Sequence, residues 1–427
     1  MLDIKRIRED PDRVRERLAV RGDETLSAAV DRVLALDEER RGLIAKVDGM
    51  RARRNQVSPR VPELKRAGRS EEADAVIREM RDLGERLGRK ESRLGEIDGE
   101  IERALLELPN TPAEDVPAGD ESANRVLREW GDPPPSETWE RQPHWVLGEA
   151  LGILDFAAGA RIAGSGFPVY VGAGARLERA LINFMIDLHT RAHGYTEIWP
   201  PLLVNRDAAR GTGHLPKFAE DMYHAAADDL FLVPTAELPL TNLHAGQILA
   251  PDEVPRRYAA YTPCFRREAG AHGKDTRGLL RLHQFDKVEM MRFERPDESD
   301  AALEEMTAHA EAVLRALGLR YRVLLLAGGD LGFANARTLD LEAWAPAVGR
   351  WLEVSSCSTY RDYQARRADI RFRPEPGARP EYVHTLNGSG LGIARTMVAL
   401  LETYQEPDGG IRIPKPLSDY VGTDRIA

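Results

Sequence analysis

The chain has 427 residues and a formal net charge of −10, with 42% hydrophobic and 30% charged residues. That is too long for one compact core and too apolar for a disordered chain, so two or three globular domains are expected. The charged first residues lack the apolar core of a signal peptide and later apolar runs are too short to span a bilayer, which excludes a membrane protein and points to the cytoplasm.

Ala29, Val33, Leu36, Arg40, Leu43, Val47, Met50, Arg54 and Val57 follow a three-and-four spacing that predicts one stripe of a long helix. Val76, Met80, Leu83, Leu87, Lys90, Leu94, Ile97, Ile101, Ala104 and Leu108 predict a second. Pro59, Pro62 and Gly68 break the pattern between them, so the two helices are expected to fold back as an antiparallel hairpin with arms of about 45 Å. From Arg40 to Arg69 ten Lys or Arg stand against Asp48 and Glu63, a local balance of +8 despite the acidic total. A positive stretch on an extended arm suits a polyanion, and it equally suits a solvated helix face.

Residues 109–135 are rich in Pro, Asp and Glu and read as a linker between an N-terminal domain (1–108) and a second domain (136–427). From about Trp139 short strand-like runs alternate with uneven helices, which predicts an α+β domain built on a largely antiparallel sheet flanked by helices.

Three patches in this domain are denser in polar residues than a core tolerates. FRREAGAHGKDTRGLLRLHQFDKVEMM carries Arg266, Glu268, Lys274, Arg277, Arg281 and His283 around a Gly-rich loop; guanidinium groups grip phosphate oxygens in bidentate fashion, so the patch suits a triphosphate, or a surface hairpin with ion pairs. In RWLEVSSCSTYRDYQARR, Glu353 and Ser356 offer hard oxygen ligands for magnesium on a nucleotide. In LNGSGLGIARTMVALLE, Asn387 to Gly390 precede a helix carrying Arg395, and a Gly-rich run leading into a helix offers free amides to an anion. No Walker loop, no dinucleotide fingerprint and no HExxH pair is present, so a nucleotide would need another architecture. His189 and His193 read as helix-surface or interface residues, and Cys264 and Cys357 as packed thiols in a reducing compartment, with no structural zinc expected.

In this order the three patches resemble the signature motifs of class II aminoacyl-tRNA synthetases, specifically seryl-tRNA synthetases of the bacterial type. GARLERALINFMIDLHTRAHGYTEIWPPLLVN resembles the first motif, PTAELPLTN the TAE loop, FRREAG with RGLLRLHQFDKVE the second motif, and NGSGLGIARTMVALLE the third. The resemblance implies a serine–tRNA ligase that uses ATP and Mg2+ to form seryl-adenylate and then charges tRNA(Ser), with tRNA(Sec) as a further acceptor. It implies a homodimer formed through the first motif.

Carried onto these positions, it implies catalytic roles for Arg266, Glu353 and Arg395. Serine binding falls to Thr235, Ala236, Glu237, Arg266, Glu289, Asn387 and Ser389, with Glu289 taking the side-chain hydroxyl; on its spacing alone Glu289 could as well face outward beside Lys287 or Arg292. ATP binding falls to Arg266, Arg267, Glu268, Arg281, Leu282, His283, Gln284, Phe285, Glu353, Val354, Ser355, Ser356 and Arg395, with magnesium on Glu353 and Ser356. The hairpin residues Arg51, Arg53, Arg54, Arg60, Lys65 and Arg66 would meet tRNA. Departures from the usual pattern at Arg267, Thr359, Ala394 and Thr403 leave open a housekeeping enzyme or a specialised duplicate, one that confers inhibitor resistance or supplies seryl-tRNA for biosynthesis. A carrier-protein ligase of this fold would lack the arm, and a silent paralogue would have lost some of Arg266, Glu289, Glu353 and Arg395.

Overall fold

The computed structural model describes residues 1–133, 139–269 and 277–427. Lys274 and Pro135 lie outside them. The chain divides into two compact units.

Residues 2–19 and 23–108 form a helical unit: α1 (Ile4–Glu9), α2 (Pro11–Ala19), α3 (Thr25–Val57), α4 (Arg60–Arg66) and α5 (Ser70–Glu107). The expected stripes face each other, with Val33, Val47 and Val57 buried on α3 and Leu87, Ile97 and Ile101 on α5. Ion pairs Arg40–Asp98 (2.5 Å), Arg51–Glu91 (2.7 Å) and Arg53–Glu79 (2.8 Å) descend one helix as they ascend the other, which fixes the antiparallel sense. Gly68 closes the reversal at φ +75°, a conformation that costs glycine little. These cross-hairpin pairs offset part of the basic stretch. Arg54, Arg60, Lys65 and Arg66, at the reversal, are exposed and have no ion-pair partner among the described residues.

The second unit holds residues 1, 20–22 and 109–427. In chain order its main elements are β1 (Arg125–Trp130), α6 (His144–Ala150), α7 (Ala173–Arg191), β2 (Thr196–Glu197), α8 (Glu237–Asn242), β3 (Arg256–Phe265), β4 (Gln284–Glu294), α9 (Ser299–Ala316), β5 (Tyr321–Leu325), β6 (Arg337–Ala345), β7 (Arg350–Arg361), β8 (His384–Gly392) and α10 (Ile393–Thr403). Eight strands form one sheet in the order β1-β5-β6-β7-β8-β4-β3-β2, antiparallel except for the β2–β3 pair.

Strand alternation sorts the side chains of β4 between two faces. Val288 and Met290 join the core formed with α7, α9 and α10, while Lys287 and Glu289 face a cavity on the other side. Cys264 on β3 and Cys357 on β7 are fully buried, and burial pushes both thiols up, Cys357 to about 12. Among the described residues no helix is long and apolar enough to cross a membrane.

The structure corrects two expectations here. The described part of the supposed linker is built into the second unit: β1 pairs with β5, Ala113 and Val116 pack against Leu324, Leu326 and Leu331, and the Asn110 amide donates to the carbonyls of Ala334 (3.0 Å) and Tyr360 (2.8 Å). Low periodicity concealed a segment held largely by backbone pairing and a few small side chains. Likewise, Asn387, Gly388 and Ser389 belong to β8, in register with Met291, Met290 and Glu289 of β4, so this stretch is sheet and not a loop of free amides waiting for an anion.

Candidate active site

A cavity of about 320 Å³ opens on the sheet face away from α9, with Ala394 and Arg395 at the start of α10 forming part of its lining. Its polar lining is buried at one end and exposed at the other. At the buried end stand Thr235, Glu237, Glu289, Asn387 and Ser389, each under 9% exposed. At the open end Arg281, Glu353 and Arg395 keep 34%, 49% and 35% of their side chains accessible.

The buried end is one hydrogen-bonded network. Glu289, 1% exposed, faces inward, which removes the outward alternative. Its Oε1 accepts from Asn387 Nδ2 (2.7 Å), and its Oε2 accepts from Thr235 Oγ1 (2.9 Å) and from the Lys287 ammonium. Lys287 also donates to Thr235 Oγ1 (2.9 Å), and Tyr360 donates to Asn387 Oδ1 (2.5 Å). A carboxylate offers about four lone-pair positions, so one on Oε1 remains for a further donor. Glu237 accepts from Gln364 Nε2 (2.5 Å); burial first and the Glu289 charge second raise its carboxyl to about 7. An ammonium beside these two carboxylates would be well matched.

The open end is cationic but internally paired. Arg281 Nη1 donates to Glu268 (2.5 Å), and Arg395 donates to the Leu280 and Glu353 carbonyls (3.2 and 3.0 Å). The Arg266 guanidinium lies 5.1 Å over the Phe285 ring and donates to the Pro234 carbonyl (3.3 Å). Beside Glu353 and Ser356, Asp340 sits opposite Ser356 in the β6–β7 register; its Oδ1 is buried without a hydrogen-bond partner, and burial with the Glu353 charge holds its pKa well above the usual carboxylate range.

Of the residues expected at this site, Thr235, Glu237, Arg266, Glu268, Arg281, Leu282, Phe285, Glu289, Glu353, Val354, Ser356, Asn387, Ser389 and Arg395 line the one cavity. Ala236, Arg267, His283, Gln284 and Ser355 are not among its lining residues. Ala236 packs in an apolar cluster, the Arg267 amide donates to Asp221, His283 stacks on Phe167 at 5.3 Å, and Ser355 Oγ donates to the Ser389 carbonyl (2.6 Å). Gln284 is exposed. Lys287, His214, Phe218, Ser358 and Tyr360 were not expected, and all line the cavity. Lys287 was legible, because it stands two residues before Glu289 on the same strand face. His189 is fully buried, its Nε2 donating to the Gly390 carbonyl (2.7 Å), and is no surface histidine.

Comparison with known proteins agrees with this architecture. Residues 1–112 match the seryl-tRNA synthetase N-terminal domain, and residues 221–404 the tRNA synthetase class II core domain (G, H, P, S and T). The serine–tRNA ligase of Gemmatimonas aurantiaca is 52% identical, and that of Thermodesulfovibrio yellowstonii 50%, each alignment covering 100% of both chains. The crystal structure of seryl-tRNA synthetase from Pyrococcus horikoshii complexed with ATP superposes with a TM-score of 0.96 at 37% identity, covering 100% of this chain and 99% of that one. On full-length identity, both domain matches and the fold, the chain belongs to the seryl-tRNA synthetase family, the class II aminoacyl-tRNA synthetases that act as serine–tRNA ligases.

Proposed function

We propose that the cavity holds serine at its buried end and ATP at its open end, and that the seryl group then passes to a ribose hydroxyl at the 3′ end of tRNA(Ser). The observation that carries this is the junction, in one cavity, of a carboxylate-lined pocket with three guanidinium groups, Arg266, Arg281 and Arg395. A serine carboxylate oxygen attacks the α-phosphorus in line, the new O–P bond forms as the bond to diphosphate breaks, and positioning and charge neutralisation do most of the catalysis. Arg266 neutralises the α-phosphate, and Arg281 and Arg395 the outer phosphates. Arg281 must then leave Glu268, which frees that carboxylate to accept from the adenine amino group while Phe285 supports the ring. Thr235 and Glu237 surround the serine ammonium, and Glu289 accepts from the hydroxyl.

Glu353, Ser356 and the orphaned Asp340 oxygen make a hard-oxygen corner that fits magnesium. Among the described residues no group of three His, Cys, Asp or Glu could hold a metal alone, so such an ion would share its ligands with the nucleotide phosphates. Bound there, it would supply neutralising charge to those phosphates.

The test is serine-dependent exchange of labelled diphosphate into ATP, followed by charging of purified serine tRNA. Exchange is expected, and the KM for serine should rise as pH falls through about 7, because the ammonium prefers the ionised Glu237 and acid protonates it. Exchange that depends on another amino acid and not on serine would refute the proposal.

The second element is dimerisation through the first motif. Trp199 is 81% exposed, and Leu202 and Leu203 are exposed beside it after the edge strand β2. Large apolar side chains left exposed beside a sheet edge invite a partner, and the resemblance makes that partner a second copy. Sedimentation is expected to give twice the 47.6 kDa chain mass, with Leu203→Asp shifting the equilibrium to monomer. A monomeric parent chain at micromolar concentration would remove this element.

A further inference from the structure

Outside the cavity, α6 carries a fully buried histidine that the catalytic scheme does not use. His144 is 0% exposed and bridges two distant segments. Its Nδ1 lies 2.9 Å from Glu402 Oε1 at the end of α10, and its Nε2 lies 3.0 Å from the backbone nitrogen of Leu279. The Leu279 N–H can only donate, so Nε2 is the bare nitrogen and Nδ1 carries the proton, which it donates to Glu402. Glu402 is itself held: Oε1 also accepts the His144 N–H (3.2 Å), and Oε2 accepts the N–H groups of Ala347 (2.9 Å) and Val348 (3.2 Å). The imidazole is therefore clamped from behind and presents one acceptor forward.

What it accepts is the backbone that returns into the cavity. Leu280, Arg281 and Leu282 line the cavity directly after Leu279. The Leu280 carbonyl receives Arg395 Nε (3.2 Å), and Arg281 reaches Glu268. Next to it, Gly278 runs at φ +69°, and a Cβ there would lie 2.2 Å from His144 Nε2, so the segment is drawn against the ring more closely than a larger residue permits. The neighbouring Trp145 receives the Arg277 guanidinium over its ring at 5.3 Å. Two consecutive residues of one helix thus hold residues 277–279.

We infer that the buried His144–Glu402 pair is a positioning device that sets the backbone of Leu279–Leu282, and through it the reach of Arg281 and Arg395 toward the ATP phosphates. This rests on the proposed placement of ATP. The two bonds of the imidazole can be separated by substitution, because an asparagine amide falls near the Nδ1 position and a glutamine amide near Nε2. His144→Asn keeps the bond to Glu402 and loses the acceptor for Leu279; His144→Gln keeps the acceptor and weakens the bond to Glu402.

In serine-dependent diphosphate exchange, His144→Asn is expected to raise the KM for ATP about tenfold while moving the KM for serine less than about twofold; His144→Gln should recover most of that loss, to within about threefold of the parent. Thermal melting of both variants accompanies the kinetics, and melting should follow the Glu402 bond, with Gln the less stable. An unchanged KM for ATP in His144→Asn, a parallel rise in both KM values, or equal kinetics for Asn and Gln would overturn the inference. Failure of the underlying ATP reading is distinguishable, since Arg281→Ala and Arg395→Ala would then leave the KM for ATP of the parent chain unchanged.

Discussion

Glu289→Ala is expected to lower serine-dependent diphosphate exchange by about a thousandfold and to erase discrimination against alanine. Alanine is smaller than serine, so a pocket cannot exclude it by shape; it can only leave a buried polar group without a partner. Glu289 has one lone-pair position left on Oε1 after Asn387, Thr235 and Lys287 are served, and the serine hydroxyl would fill it. Removing the carboxylate also strands the buried Lys287 ammonium, so the alanine variant should lose stability as well. Glu289→Gln separates the effects: it keeps the volume and one acceptor, so its melting temperature should stay nearer the parent's while serine activation still falls steeply. Near-normal activation of serine with intact rejection of alanine, in either variant, would show that another group reads the hydroxyl.

Deleting residues 26–107 is expected to leave exchange nearly intact and to abolish tRNA charging. Every residue lining the cavity comes from positions 212 to 395, and the helical unit has its own core. The antiparallel pairing of α3 and α5 brings the two cut ends to the same end of the hairpin, so a short Gly/Ser bridge can close the chain at modest entropic cost. Within the intact hairpin, replacing Arg54, Arg60, Lys65 and Arg66 by glutamate should weaken tRNA binding and flatten its salt dependence, by about one unit of slope for each phosphate no longer neutralised. Arg51 and Arg53 already spend their charge on Glu91 and Glu79 and should matter less. Full charging by the truncated chain would mean that the hairpin does not hold the tRNA.

Much of this was readable beforehand because each polar patch lies along one strand or the connection between two consecutive strands. The hairpin was readable because its stripes are periodic and its reversal is punctuated by Pro59, Pro62 and Gly68. β8 was hidden because Gly388, Gly390 and Gly392 argue against a strand; tertiary packing demands two of them, since a Cβ at Gly388 would lie 2.6 Å from Cys357 Sγ and one at Gly390 would lie 2.4 Å from His189 Nε2. β6 is different: Leu339, Leu341 and Ala343 alternate with Asp340 and Glu342, an ordinary strand signal that lies in plain view. His214 and Phe218 reach the cavity from a loop, and no local pattern announces such a convergence. Ala236 and Ser355 show the opposite limit. A motif names consecutive residues, but a strand or turn sends neighbours in different directions.

The burial of Cys264 and Cys357 has a practical consequence for measuring the docking of tRNA. Both thiols are fully enclosed and held in their protonated, unreactive form well above neutral pH, and the sequence contains no other cysteine. A cysteine introduced at position 58, exposed at the end of α3 beside the reversal of the hairpin, would therefore be the one readily alkylated sulfur in the native chain. A maleimide dye attached there would follow the approach of tRNA by fluorescence without first building a cysteine-free background, and the untouched parent chain would serve as its own blank.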